Sequence, residues 1–305
     1  TDRSCRFADT ENTVVTDSYY RNDVFSVLGY RKITRRLPFQ TGKRGLYGIP
    51  SLNMTARDFF MTTNFAYSRK SDAWLYVLPK RVASPELSMF CSHLLGELET
   101  RRNQMEDPYT FRGIREYTYG DTYGKINWKA TAKASKLMVN MYGYTSEQRV
   151  RILLNLETNI MVKTEYLQEM SIRMAGTIAE YFLQHKVSVE LVSNGIDCMT
   201  GACERVEAGM SMEHGETIDK YLARIKENAG IDAFMQMVDT EIQQMEEPIT
   251  YVIISPYYKE DLLLKLDYMH KKHPELHMVV PYYDIQDKTG WRGYMQGVEV
   301  KWNEI

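Results

Sequence analysis

From about residue 136 onward, short apolar runs alternate with longer amphipathic ones, and this alternation restricts the fold more than any other feature. Strands are expected at Leu137–Tyr142, Val150–Leu156, Val187–Val192, Ile249–Ile254 and Leu276–Val280, and helices at Glu165–His185, Thr217–Glu227, Ala233–Met245 and Lys259–Lys272. In the first of these helices Leu167, Met170, Met174, Ile178 and Tyr181 recur on one face. Nearly continuous apolar strands between helices predict an α/β unit, with a mostly parallel sheet covered on both faces. Asn194-Gly195 is a hairpin signal, so an antiparallel edge strand is expected to return through Glu204–Ala208. Gly297–Trp302 reads as a last edge strand.

Residues 1–83 have a different texture. Val24–Val27, Leu46–Met54, Phe59–Tyr67 and Ala73–Leu78 are β-branched or aromatic runs between Gly, Pro, Asn and Ser, which predicts an all-β layer. Arg57-Asp58 places an expected ion pair at a strand edge. Residues 84–135 form a helix and a connecting motif. Ser84 is placed to cap the helix, Pro85 suits its first position, and Leu87, Phe90, Leu94 and Leu98 share a face. Arg101–Asp107 reads as a charged loop leading toward an α/β domain at 136–305.

The composition narrows function only slightly. A formal charge of −2 on 305 residues gives no global electrostatic reason to expect nucleic acid as a partner. Cys5, Cys91, Cys198 and Cys203 form no CxxC pair, which favours free thiols in a reducing compartment. Cys198 and Cys203 flank a turn-like MTGA, so a bridge between them stays open. No apolar run is long enough to cross a membrane as a helix, no signal peptide is evident, and the opening TDRSCRF reads as a trimmed start.

The stretch from Arg112 to Val139 carries a dense motif: Arg115, Tyr117, Gly120, Asp121, Ile126, Trp128, Lys129, Thr131, Ala132, Lys133, Leu137 and Val139. This pattern resembles the signature of the bacterial domain-of-unknown-function family 58. Lys43–Ile49 and Arg57–Phe60 resemble that family's upstream elements. The resemblance implies a smaller β-sandwich-like region followed by a von Willebrand A-like, doubly wound domain. It also implies a membrane anchor through an N-terminal hairpin and a MoxR-type AAA+ ATPase as a neighbour or partner, without an established reaction. Within that frame, the motif is expected to connect domains, with Trp128 buried and the flanking charges packed on Asp121.

A von Willebrand A domain often holds Mg²⁺ or Mn²⁺ beyond its first strand, through an Asp-x-Ser-x-Ser pattern with a later Thr and Asp. The corresponding residues here are Asn155, Glu157 and Asn159, with Thr217 for the Thr; the later Asp has no counterpart, because Ile253-Ile254 runs into Ser255-Pro256. One carboxylate among neutral oxygens makes a poor Mg²⁺ site. No cofactor is therefore expected, and the positions read as strand and helix caps or as a metal-free contact surface.

Other constellations are weaker. His270, His273 and His277 are interrupted by Pro274 and suit a helix end better than a metal. Lysines and aromatics interleave around Tyr117, Tyr119, Tyr123 and Trp128, as base stacking would require, but a structural role is favoured. Gly113, Gly120 and Gly124 make no dinucleotide fingerprint. Asn53-Met54-Thr55 matches a glycosylation acceptor, a triplet common by chance, and Glu246-Glu247 reads as a solvated helix end.

The resemblance thus implies a membrane-anchored interaction protein, and the sparse cysteines with an ATP-dependent partner place its expected soluble part on the cytoplasmic face. It would have no catalysis of its own and would recognise a protein around Asn155, Glu157, Asn159, Thr217 and Ser255. A metal-dependent adhesion-type binding domain is the alternative, and a hydrolase using Glu157 as a base comes third.

Overall fold

A computed structural model describes residues 5–7, 23–27, 29–34, 36, 38–58, 60, 62–104, 106–144, 148–157, 164–228, 232–244, 249–282 and 291–299. In chain order the elements are β1 (Cys5–Phe7), β2 (Phe39–Thr41), β3 (Gly45–Arg57), β4 (Asn64–Val77), α1 (Pro85–Gln104), β5 (Glu106–Glu116), α2 (Trp128–Ala134), β6 (Met138–Tyr144), β7 (Arg149–Leu154), α3 (Thr164–Gln184) and β8 (Ser188–Ser193). There follow β9 (Gly195–Asp197), β10 (Arg205–Gly209), α4 (Met212–Arg224), β11 (Ile225–Asn228), α5 (Ala233–Gln243), β12 (Ile249–Ile254), α6 (Glu260–Lys272), β13 (Leu276–Tyr282) and β14 (Met295–Glu299).

The chain is mixed α/β, built on a six-stranded sheet of order β10-β8-β7-β12-β13-β14. Its pairs are parallel except for β10 against β8. Side-chain alternation splits the core between the two faces. Val150, Ile152 and Leu154 of β7 join Met174, Ile178 and Phe182 of α3, Leu222 of α4 and Leu94 of α1 on one face. Leu153, Tyr251, Ile253 and Met278 meet Phe234 and Val238 of α5 and Leu262 and Leu266 of α6 on the other. After β7 the chain moves outward through β8 to β10, and only after α5 does it return to β12 on β7's other side. The carboxyl ends of β7 and β12 therefore flank a topological switch point, where open α/β sheets present their binding crevice.

The strands are less uniformly apolar than their runs suggested. Arg151 sits mid-strand opposite Glu190, with Nε 2.7 Å from Glu190 Oε2 and Nη1 2.5 Å from Glu241 Oε2. Arg205 on the edge strand closes the ring, 2.6 Å from Glu190 Oε1 and 2.8 Å from Glu241 Oε1. Two guanidinium groups and two carboxylates thus neutralise one another beneath α5. This balance lets charge occupy a layer that would otherwise exclude it.

Several expected elements differ. Leu137–Tyr142 is a strand, but as part of β6 it pairs with β5, and the large sheet begins only at Arg149. Arg101–Asp107 is not a loop: α1 runs to Gln104 and β5 starts at Glu106. Asn194-Gly195 is not a two-residue hairpin. The chain continues through β9, and the turn falls at 198–202, where Gly201 takes φ 72°. β10 nevertheless returns antiparallel to β8, as expected.

The N-terminal part shows no sandwich among the described residues. β3 and β4 form one long antiparallel ribbon, in which Phe59–Tyr67 and Ala73–Leu78 contribute to a single strand rather than two. Met54 faces Tyr67 and Ala56 faces Phe65 across it. Leu52, Met54, Phe65 and Tyr67 remain exposed. β1 and β2 make a second small ribbon, and Val24–Val27 is exposed and not a strand. Asp58 accepts bonds from Thr62 Oγ1 and the Thr63 amide, closing the β3–β4 turn. Ser84 caps α1 through the Leu87 amide at 3.3 Å. Arg81 holds the preceding segment down. Its guanidinium lies over Gly176 and forms a fork with Asp219 at 2.8 and 2.6 Å, with Glu180 on its Nε.

Candidate functional site at the carboxyl edge of the sheet

At the switch point, the strand ends are stitched by buried amides. Asn155, fully buried, donates from Nδ2 to Ser255 Oγ at 2.9 Å. Its Oδ1 accepts from Asn194 Nδ2 and from the Glu157 amide, both at 2.9 Å. Asn194 Oδ1 accepts from the Leu156 amide at 2.8 Å. Ser255 Oγ donates to Tyr257 O at 2.7 Å and accepts from the Tyr257 amide at 3.1 Å. Gly195 permits this closeness, since a Cβ there would lie 2.8 Å from Leu156 Cδ1.

The mouth above this network is acidic. Glu157 is half-buried, and its Oε1 accepts from the Phe234 amide at the start of α5 at 3.4 Å. Burial raises the Glu157 carboxyl above its ordinary range. The Phe234 amide opposes that rise, and the nearby Asp232 and Asp261 charges add to it. Asp232 precedes α5 in the left-handed conformation, at φ 66°. Asp261, in the first turn of α6, accepts from the Tyr257 hydroxyl at 2.7 Å. That bond holds Asp261 below the usual carboxylate range. Burial, followed by the same bond, pushes the Tyr257 phenol up to about 12.

Among the described residues, Asn155 and Ser255 do not fit as ligands of an Mg²⁺ or Mn²⁺ ion. A hard cation needs oxygen lone pairs turned toward it. Asn155 Oδ1 already faces two N–H groups, and Ser255 Oγ is engaged in three bonds. Among the described residues, no group of three His, Cys, Asp or Glu side chains is placed to hold a metal.

Of the expected site, the structure brings together Asn155, Glu157 and Ser255. Thr217 lies elsewhere. It is exposed on α4, with Oγ1 toward Glu213 O, one turn beyond His214, whose Nε2 lies 2.8 Å from Val189 O. Val189 is near the amino end of β8, so Thr217 starts from the opposite edge of the sheet. The antiparallel direction of β10 imposes this, because α4 must begin where β10 ends. Asn159 lies outside the described residues. The sequence reading missed the bridging role of Asn194, along with Asp232 and Asp261. Asn194 had been assigned to a turn, and the aspartates follow segments with no metal-site spacing.

The central motif folds as a small module of its own. Arg115 forms a fork with Asp121, both bonds at 2.7 Å, and Asp121 also accepts from the Thr118 amide at 2.8 Å. Gly120 adopts φ 116° in the turn between them. Tyr117 stacks on Tyr123 at 6.1 Å. Asn127 caps α2 through the Ala130 amide at 2.9 Å and donates to Asn140 at 2.7 Å. Trp128 is 68 % exposed, contrary to expectation, at the first position of a seven-residue helix that has no buried residues. Lys129 and Lys133 are exposed on the same helix.

His270, His273 and His277 fall on α6, at its C-cap and on β13, with His273 buried edge-on against Tyr251. Cys91, Cys198 and Cys203 are free thiols. No protein-family model matches the chain, and no curated protein matches it.

Proposed function

We propose that this chain is a non-catalytic protein-interaction module with a von Willebrand A-like domain, tethered to a membrane with its soluble part on the cytoplasmic face. Its partner is a protein, a MoxR-type AAA+ ATPase or that ATPase's client. The motif at Arg115–Val139 supports the kinship with domain-of-unknown-function family 58. A mostly parallel six-stranded sheet with one antiparallel edge and helices on both faces supports the domain reading.

One observation carries the interaction reading. The polar groups that would ligate a metal are engaged with one another, while Glu157, Asp232 and Asp261 stand around the crevice mouth. Such a surface favours lysine or arginine side chains on a partner. The test is capture of a purified MoxR-type ATPase on this chain, with and without ATP. Glu157→Gln combined with Asp261→Asn is expected to weaken capture at least tenfold, and Thr217→Ala to leave it unchanged. Equal capture by the wild type and the double variant would remove the carboxyl edge from the interface.

A further inference from the structure

The module formed by β5, α2 and β6 carries a second surface, unrelated to the sheet edge. Between residues 112 and 136 the bases are Arg112, Arg115, Lys125, Lys129, Lys133 and Lys136, and the acids are Glu116 and Asp121. Both acids are committed locally, Asp121 to Arg115 at 2.7 Å and Glu116 to Lys136 at 3.0 Å. With Glu106 and Asp107 of β5 included, the module holds six bases against four acids, a net positive unit within a chain whose formal net charge is −2.

The placement of these charges is specific. Thr131 Oγ1 accepts from the Met138 amide at 3.0 Å, which turns that side of α2 toward β6. At about 100° per residue, Lys129 and Lys133 then fall about 160° from Thr131, on the outward side, and Trp128 lies on the flank, about 60° from Thr131. Among the described residues, neither Lys129 nor Lys133 has an ion-pair partner. The module also exposes aromatic and aliphatic groups: Tyr119 at 105 %, Tyr123 at 75 % and Trp128 at 68 %, with Leu137 and Ile114 exposed too, Ile114 on the ribbon face whose Asn140 meets the α2 cap. An apolar group this large on a soluble surface marks an interaction site.

We propose that this face docks on an anionic lipid bilayer. Its lysines would meet headgroup phosphates, and Trp128, Tyr123 and Leu137 would enter the headgroup–acyl boundary. Two features favour a bilayer over single-stranded nucleic acid. The aliphatic members Ile114 and Leu137 contribute little to base stacking but partition into an interface. The stacked Tyr117–Tyr123 pair already occupies one ring face of each with the other. Tryptophan, tyrosine and lysine are also the side chains that prefer the membrane–water boundary. This surface is independent of the partner-binding edge and lies on different elements.

The test is co-sedimentation of the full 305-residue chain with vesicles of phosphatidylcholine alone or mixed with phosphatidylglycerol. Binding is expected only with the anionic lipid, and it should fall with added salt. Lys129→Gln with Lys133→Gln should lower the partition coefficient about twenty-five-fold, taking about fivefold for each cation near an anionic surface. Trp128→Ala should lower it while leaving the salt dependence in place. Circular dichroism checks that the variants stay folded, and the Arg115–Asp121 clamp is untouched in all of them. Equal binding to neutral vesicles, no binding to either, or tighter binding to a single-stranded oligonucleotide than to anionic vesicles would each overturn the proposal.

Discussion

Arg151→Met tests how the buried charge ring is held. The substitution keeps an unbranched side chain of similar length but strands Glu190 and Glu241, whose side chains are 3 % and 4 % exposed. Removing one member of a buried pair costs about 3–5 kcal/mol, mostly because the remaining charge is left without compensation. Arg205 still reaches both carboxylates and is itself 32 % exposed, so one negative charge is stranded rather than two. The expected loss is therefore near the lower end, about 3 kcal/mol. In a unit of this size that corresponds to a fall in Tm of about 6–12 °C. Replacing the pair together, Arg151→Met with Glu190→Leu, should recover most of the loss, since Glu241 keeps Arg205 and the apolar pair fills the layer. Urea denaturation of the wild type, both single variants and the double variant closes the cycle. A single Arg151→Met variant within about 0.5 kcal/mol of wild type would refute the reasoning. So would a double variant less stable than either single one.

Gly195→Ala should cost about 1–3 kcal/mol, because its Cβ would press on Leu156 Cδ1 at 2.8 Å and on Ile225 Cβ at 3.2 Å beneath the site; thermal melts read this directly. Burial raises the folded-state pKa of Glu157, so the folded state binds more protons than the unfolded one just above the ordinary carboxylate range. Stability is then lost as pH rises through that window, and Glu157→Gln should be the more stable protein at pH near 7 but not near 4; an advantage that persists at the lower pH would assign the effect to packing. Burial lowers the His277 imidazole against the opposing pull of Glu97, with Arg101, His93 and His270 adding to the fall. Its stabilising contribution is present above the ordinary histidine range and lost as pH falls through the folded value, so His277→Gln should flatten the acid side of the stability curve between about pH 7 and 5. Cys91 is buried and its thiol is pushed up to about 12, whereas Cys198 is exposed. Iodoacetamide on the native protein should label Cys198 and spare Cys91 until denaturant is added, as peptide mapping would show.

Much of the sheet is legible in the sequence. Ile249–Ile254 is a strand to the residue, and α3, α5 and α6 lie within two residues of their expected bounds. Periodicity sufficed there because each element buries a stripe or a face that its own residues define. Pairing was harder. Leu137–Tyr142 has the same apolar texture as the sheet strands, yet it joins β5, and nothing local distinguishes a ribbon from a sheet strand. Arg151 and Glu190 each look misplaced in an apolar strand until the parallel register sets them side by side.

The site divides in the same way. Asn155 in place of a carboxylate was visible in the chain. Only the tertiary structure showed that Asn194 and Ser255 come from neighbouring loops to saturate that amide, and that the direction of β10 sends Thr217 to the far edge. The sequence by itself determined most strands and helices of the large sheet, because local periodicity encodes which face each one buries, but not those of the N-terminal ribbons. The structure alone decided which segments meet, because hydrogen-bond partners, a saturated amide and an exposed Trp128 are set by neighbours distant in the chain.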